Sequence, residues 1–136
     1  KTINNMTIQP KKILLIEDDR FLYEILYDAI TQTIGKDNVT VELAITGNQA
    51  IEKLNDLKDK INLILLDIIL PDKDGFEILE YIKQDQALCS IPVIVLSNLG
   101  QPEEIAKAKA LGARDFMIKA ESNTSEIVTK ARAYLN

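Results

Sequence analysis

Five short apolar runs, each followed by a stretch with helical period, leave few folds open to this sequence. KILLIE (12–17), VTVELAI (39–45), INLILLD (61–67), IPVIVLS (91–97) and RDFMIK (114–119) are rich in Ile, Leu and Val and read as strands. Between them the spacing changes. Phe21, Leu22, Ile25, Leu26, Ala29, Ile30 and Ile34 fall on one face of a helix that starts after Asp19, its expected cap, and ends at Gly35. Ala50, Ile51, Leu54 and Leu57 mark a second helix over 47–59, and Phe76, Leu79 and Ile82 a third. Ile105 and Ala108 mark a fourth over 102–111, with Pro102 in its first turn, where no amide donor is needed; Ile127, Val128, Ala131 and Leu135 mark a fifth over 123–135. Strands alternating with helices of this length predict a five-stranded parallel sheet with helices on both faces. The middle strands lack polar alternation, as strands covered on both sides do. The expected fold is a doubly wound (βα)5 three-layer sandwich of flavodoxin-like type, with right-handed crossovers. Residues 1–10, polar and aperiodic, read as a disordered tail, tag or linker, with one domain over 11–136.

In such sheets functional groups gather beyond the carboxyl ends of the strands. The first strand ends in Glu17, Asp18 and Asp19, the third in Asp67, the fourth in Ser97 and Asn98, and the fifth in Lys119. Each has an ordinary reading alone. An Asp after a strand is most often a cap or turn residue, a Ser an incidental polar group, a Lys a solvated charge, and Asp74-Gly75 common turn chemistry. Their joint placement, each at its own strand end, favours a site. Crowded carboxylates raise one another's pKa, and a hard divalent cation relieves this. Mg2+ takes oxygen ligands from one or a few carboxylates and keeps water, a description that Glu17, Asp18 and Asp67 fit; Mn2+ could substitute. A metal beside a carboxylate, with an ammonium opposite, is equipment for phosphoryl transfer, in which a carboxylate can be the nucleophile.

Composition narrows the classes. A net charge of −5 with 27% charged residues argues against nucleic acid as a direct partner, since phosphate backbones need clustered Lys and Arg. The single Cys89 excludes an internal disulfide, and the absence of His excludes His-based triads, His zinc ligands and a phosphohistidine on this chain. No apolar run reaches the roughly 18 residues of a membrane span, and no leader opens the chain, so the expected location is cytoplasmic. Lys1 stands first and Met6 opens MTIQPKK, so the start reads as a tag scar, a longer precursor or a natural start at Met6. The chain stops at Asn136, just after the last helix, which favours a single-domain protein acting by protein contact over an excised piece.

The stretches ILLIEDD, LILLDIILPDKDGFEIL and IPVIVLSNLGQPEEIAKAKALGARDFMIKA resemble the receiver domain of bacterial two-component response regulators, over about residues 12–135. The resemblance implies a phosphorelay protein that is not an enzyme, with Asp67 as phosphoacceptor. By the same resemblance Asp18 is expected to hold Mg2+ directly, Glu17 through water, and Ile69 to lend a backbone carbonyl. Ser97 and Lys119 are expected to bind phosphate oxygens and Phe116 to be the aromatic switch, and Pro71 and Gly75 match the loop after the acceptor. The implied partners are a sensor histidine kinase or histidine phosphotransfer protein and a downstream protein, with the chain a monomer or a weak phosphorylation-dependent dimer.

Three positions depart from the family pattern. Ala120 stands where Pro usually follows the Lys, which disfavours the cis peptide expected there. Asn98 replaces a small residue and is expected to screen or steer the acyl phosphate. Phe116 replaces the more usual Tyr and has no hydroxyl to donate. Rival readings are a haloacid dehalogenase type phosphatase, which needs a second Asp where Ile69 stands, a flavin-binding flavodoxin, which needs a phosphate-cradling loop where EDDRF stands, and a docking module that is never phosphorylated.

Overall fold

The computed structural model describes the backbone of residues 2–3, 6–7 and 9–136, and side chains over 9–136. The strands of the central sheet are β1 (Lys11–Ile16), β2 (Val39–Ala44), β3 (Leu63–Leu66), β4 (Val93–Ser97) and β5 (Asp115–Ile118). The helices are α1 (Arg20–Ile34), α2 (Gly47–Leu57), α3 (Gly75–Gln84), α4 (Pro102–Ala110) and α5 (Thr124–Leu135). All neighbouring strands in the sheet are parallel, in the order β2-β1-β3-β4-β5, the flavodoxin-like order expected of a doubly wound fold. Of the tail expected over 1–10, residues 1, 4, 5 and 8 lie outside the described residues, and the backbone of Thr2–Ile3 pairs antiparallel with Met6–Thr7.

The apolar runs at the centre serve two cores at once. Leu14, Ile16, Ile64, Leu66, Val93 and Val95 meet α2, α3 and α4, while the alternate residues Ile13, Leu15, Leu63, Leu65, Ile94 and Leu96 meet α1 and α5. Successive side chains of a strand point to opposite faces, so an unbroken Ile/Leu/Val run is what a sheet covered on both sides requires. Each such side chain contributes about 1.5–3 kcal/mol on leaving water. The edge strands β2 and β5 are only half-buried along most of their length, and their sequences carry Thr40, Glu42 and Asp115.

The helix starts follow local chemistry. Asp19 caps α1, its carboxylate accepting from the Phe21 and Leu22 amides. Asp74 caps α3 through the Phe76 amide, Asn123 caps α5 through Glu126 N–H, and Pro102 opens α4. Gly35, at φ 105°, closes α1 in a conformation that a side chain would resist. Two expectations need correction. The predicted run of α2 to residue 59 ends at Leu57, where a 3-10 turn (Lys58–Lys60) takes over. The predicted apolar face of α1 is too wide: Phe21 is 73% exposed and Ile25 39%. The buried line is Leu26 and Ile30, with Leu22 half-buried above them. Ile25 stands one residue before Leu26, about 100° around the helix, and Phe21 shares its side.

Candidate functional site

The parallel ladder decides which residues meet at the carboxyl edge. Ile16 pairs with Leu66, so the next residues, Glu17 and Asp67, emerge side by side. Their amides extend the ladder, Glu17 N–H to the Ala44 carbonyl and Asp67 N–H to the Ile16 carbonyl. Glu17 is 1% exposed and Asp67 5%. Asp18, between the buried Glu17 and the capping Asp19, is exposed at the rim. Carboxylate oxygens of Glu17, Asp18 and Asp67 lie within 4.8 Å of one another.

Lys119 completes the cluster. It opens a 3-10 turn (Lys119–Glu121) just past β5, and its Nζ lies 2.5 Å from Glu17 Oε1 and 2.7 Å from Asp67 Oδ2. Since β5 is separated from β3 by β4, the side chain must reach past a whole strand, about 5 Å wide. Burial lifts the Glu17 carboxyl above its ordinary pKa, against the hydrogen bonds from Lys119 and the Asp19 amide. Burial pushes Lys119 down, but its hydrogen bonds to Asp67 and Glu17 outweigh this, and the net shift is upward. The second oxygen of Asp67 accepts from Ile69 N–H at 3.0 Å, which fixes the carboxylate while the Ile69 side chain stands 52% exposed.

Ser97, fully buried, ends β4 opposite Ile118, and its Oγ accepts from Leu99 N–H at 3.3 Å. Phe116 pairs with Val95 and packs half-buried against the α2-α3-α4 core. The loop after Asp67 is tightly held. A Cβ on Gly75 would lie 2.4 Å from Ile68 Cα and 2.8 Å from the Asp67 carbonyl oxygen, so only glycine permits this approach of α3 to the end of β3. Pro71 lies exposed in the same loop.

Two groups carry more than their sequence positions suggested. Asp72 accepts from Gly47 N–H at 2.6 Å and Asn48 N–H at 2.9 Å, clamping the loop after Asp67 onto the start of α2. Its removal from water raises its pKa, but these amide hydrogen bonds prevail and the net shift is downward. Asn98, expected to screen or steer the acyl phosphate, accepts from Ala120 N–H at 2.9 Å. The peptide bonds of the described residues are trans, that of Ala120 included.

The donor set suits a hard divalent cation, being all carboxylate oxygen with two of the three groups buried. Glu17, Asp18 and Asp67 are thus placed to hold one. Among the described residues, no helix is long and apolar enough to cross a membrane.

Comparison with known proteins agrees with this architecture. The chain is 34% identical over 124 residues to the transcriptional regulatory protein CpxR of Escherichia coli (strain K12), covering 91% of this chain and 49% of that one, so it spans about half the length of this curated relative. The crystal structure of the phosphorylated cyanobacterial phytochrome response regulator RcpA matches with a TM-score of 0.78 at 29% identity, covering 91% of this chain and 90% of that one. The Mn2+-bound form of response regulator Rcp1 matches with a TM-score of 0.75 at 27% identity, over 91% of each chain. The response regulator receiver domain family matches residues 13–132, nearly the whole chain, and the chain belongs to that family.

Proposed function

We propose that this receiver domain accepts a phosphoryl group on Asp67 from a phosphohistidine on a sensor histidine kinase or histidine phosphotransfer protein. The observation that carries the reading is the contact of Lys119 with both Glu17 and Asp67, which sets one ammonium against buried carboxylates at the edge where ligands bind. The partner supplies the imidazole, since this chain has no His. An Asp67 carboxylate oxygen attacks phosphorus in line, an O–P bond forms, the P–N bond breaks, and its electron pair returns to the imidazole nitrogen. Glu17, Asp18, Asp67 and the Ile69 carbonyl would hold Mg2+, which would supply neutralisation of charge on the phosphoryl oxygens. Lys119 and Ser97 donate hydrogen bonds to those oxygens. Ile69 N–H keeps the carboxylate oriented.

The acyl phosphate adds about 1.5–2 negative charges and three acceptors at the edge of the sheet. Ser97 and Lys119 are drawn to it, Phe116 turns inward, and the surface of α4, β5 and α5 shifts between two populations. A downstream protein reads that surface, and a weak phosphorylation-dependent dimer is one form it takes. The reading places the protein in the cytoplasm, where the kinase domains of such relays act.

Incubation with Mg2+ and a small-molecule phosphodonor, followed by intact mass and mapping of the modified residue, tests this. One phosphoryl group on Asp67, absent after chelation and absent from Asp67→Asn with its fold intact, is the expected result. Phosphate retained on Asp67→Asn, or none on the unsubstituted chain, overturns it in favour of a docking module.

A further inference from the structure

The Asn98–Ala120 hydrogen bond joins the two positions where this chain departs from the receiver pattern beside its phosphate-binding side chains. The ladder between β4 and β5 ends at the Ser97–Ile118 pair. One residue further, Asn98 Oδ1 accepts from Ala120 N–H at 2.9 Å, a cross-link beyond the sheet between the loop that follows Ser97 and the loop that carries Lys119. The bond requires both departures. A small apolar residue at 98 has no acceptor, and Pro at 120 has no N–H to offer.

The cross-link bears on Lys119 because of how far that side chain must reach. Its backbone directly follows the half-buried edge strand, while its Nζ reaches Asp67 at the end of a strand two away and Glu17 at the end of one three away. Behind it the 3-10 turn is closed by a weak contact, Ser122 N–H to the Lys119 carbonyl at 3.3 Å. The Asn98 bond is the shorter tie, and it fixes the residue next to Lys119.

We propose that Asn98 is a positioning residue for phosphoryl transfer, holding the Ala120 amide so that Lys119 stays seated against Asp67 and moves together with Ser97 when the phosphoryl group arrives. This rests on the phosphoacceptor reading above. Asn98 forms its hydrogen bond with Ala120 and none with Asp67 or the other carboxylates of the cluster, so its effect belongs in the transfer rate and not in cation binding.

The test compares the unsubstituted chain with Asn98→Ala, Asn98→Asp, Ala120→Pro and the Asn98→Ala/Ala120→Pro double variant. Each is phosphorylated by acetyl phosphate over a range of Mg2+ concentrations and followed by intact mass, with circular dichroism melts alongside. Asn98→Ala and Ala120→Pro are each expected to lower the limiting rate roughly two- to tenfold, the rate equivalent of one hydrogen bond, at an unchanged half-saturating Mg2+ concentration. The double variant is expected to match the single ones, and Asn98→Asp, which keeps the acceptor, to recover most of the rate. No phosphorylation of the unsubstituted chain overturns the phosphoacceptor reading and this inference with it. Phosphorylation of the unsubstituted chain with Asn98→Ala equally fast, with additive losses in the double variant, or with a parallel shift in Mg2+ dependence, overturns the inference alone.

Discussion

Lys119 Nζ stands 2.5 Å from Glu17 Oε1, an ion pair between the ends of β5 and β1, strands that are not neighbours in the sheet. Glu17 is almost fully buried, and among the described residues no other Lys or Arg forms an ion pair with it or with Asp67. Lys119→Ala therefore leaves a buried carboxylate pair without its cation. In the absence of divalent cation the variant is expected to lose on the order of 2 kcal/mol, less than for a fully buried pair because Lys119 keeps a path to water. Urea unfolding in chelator measures this, and added Mg2+ is expected to restore part of the loss by binding the same carboxylates. The variant is also expected to take up phosphate slowly without transmitting it to partner binding; full coupling in a pull-down rejects that role.

Gly75→Ala probes the loop after Asp67. The new Cβ would sit 2.4 Å from Ile68 Cα and 2.7 Å from the Ile68 carbonyl oxygen, both backbone atoms that cannot swing aside. The start of α3 must move away from the end of β3, and Asp67 with it. A loss of about 1–3 kcal/mol in urea unfolding is expected, together with slower Mg2+-dependent phosphorylation. Wild-type stability and rate would show that the loop yields freely.

Much of this site was legible because a parallel sheet sends every strand's carboxyl end to one edge. Asp67 and Lys119 each terminate an apolar run, so their meeting follows from the topology once five strand-helix pairs are counted. The Asn98 bond was not legible. It depends on a backbone N–H and on the one-residue offset set by the Ser97–Ile118 register, neither of which a side-chain pattern encodes. Asp72 was missed for a similar reason: its partners are the free amides at the start of α2, far off in sequence. The third and fourth strands were read two residues early at their starts, because Ile61 and Ile91 are buried like strand residues although they precede the paired residues.

The face of α1 offers a sharper contrast. Phe21 is 73% exposed, whereas Leu26 and Ile30 are fully buried in the core on the α1 and α5 side of the sheet. Phe21→Ser is expected to change stability by no more than about 0.5 kcal/mol. Leu26→Ala is expected to cost about 2–5 kcal/mol through lost burial and the cavity left behind. Paired thermal or urea unfolding of the two variants settles the orientation of the helix, and equal costs would contradict it.

Glu17 gives the pH dependence its sign. Burial raises its carboxyl pKa above the ordinary value of 4.5, more than Lys119 and the Asp19 amide lower it. Below pH 4.5 the group is protonated in both folded and unfolded chains and costs nothing. As pH rises through the window above 4.5, the unfolded chain releases its proton first, and the folded state is left holding an unfavourable charge. Glu17→Gln removes that titration. In chelator, the stability of Glu17→Gln relative to the unsubstituted chain is therefore expected to rise as pH goes from 4 to 8 and then level off. With Mg2+ present the difference is expected to shrink, because the cation stabilises only the chain that keeps the full carboxylate set. Denaturant midpoints for both proteins at each pH, with and without Mg2+, provide the check. A gap that stays constant from pH 4 to 8 in chelator would mean that Lys119 alone compensates for the burial of Glu17.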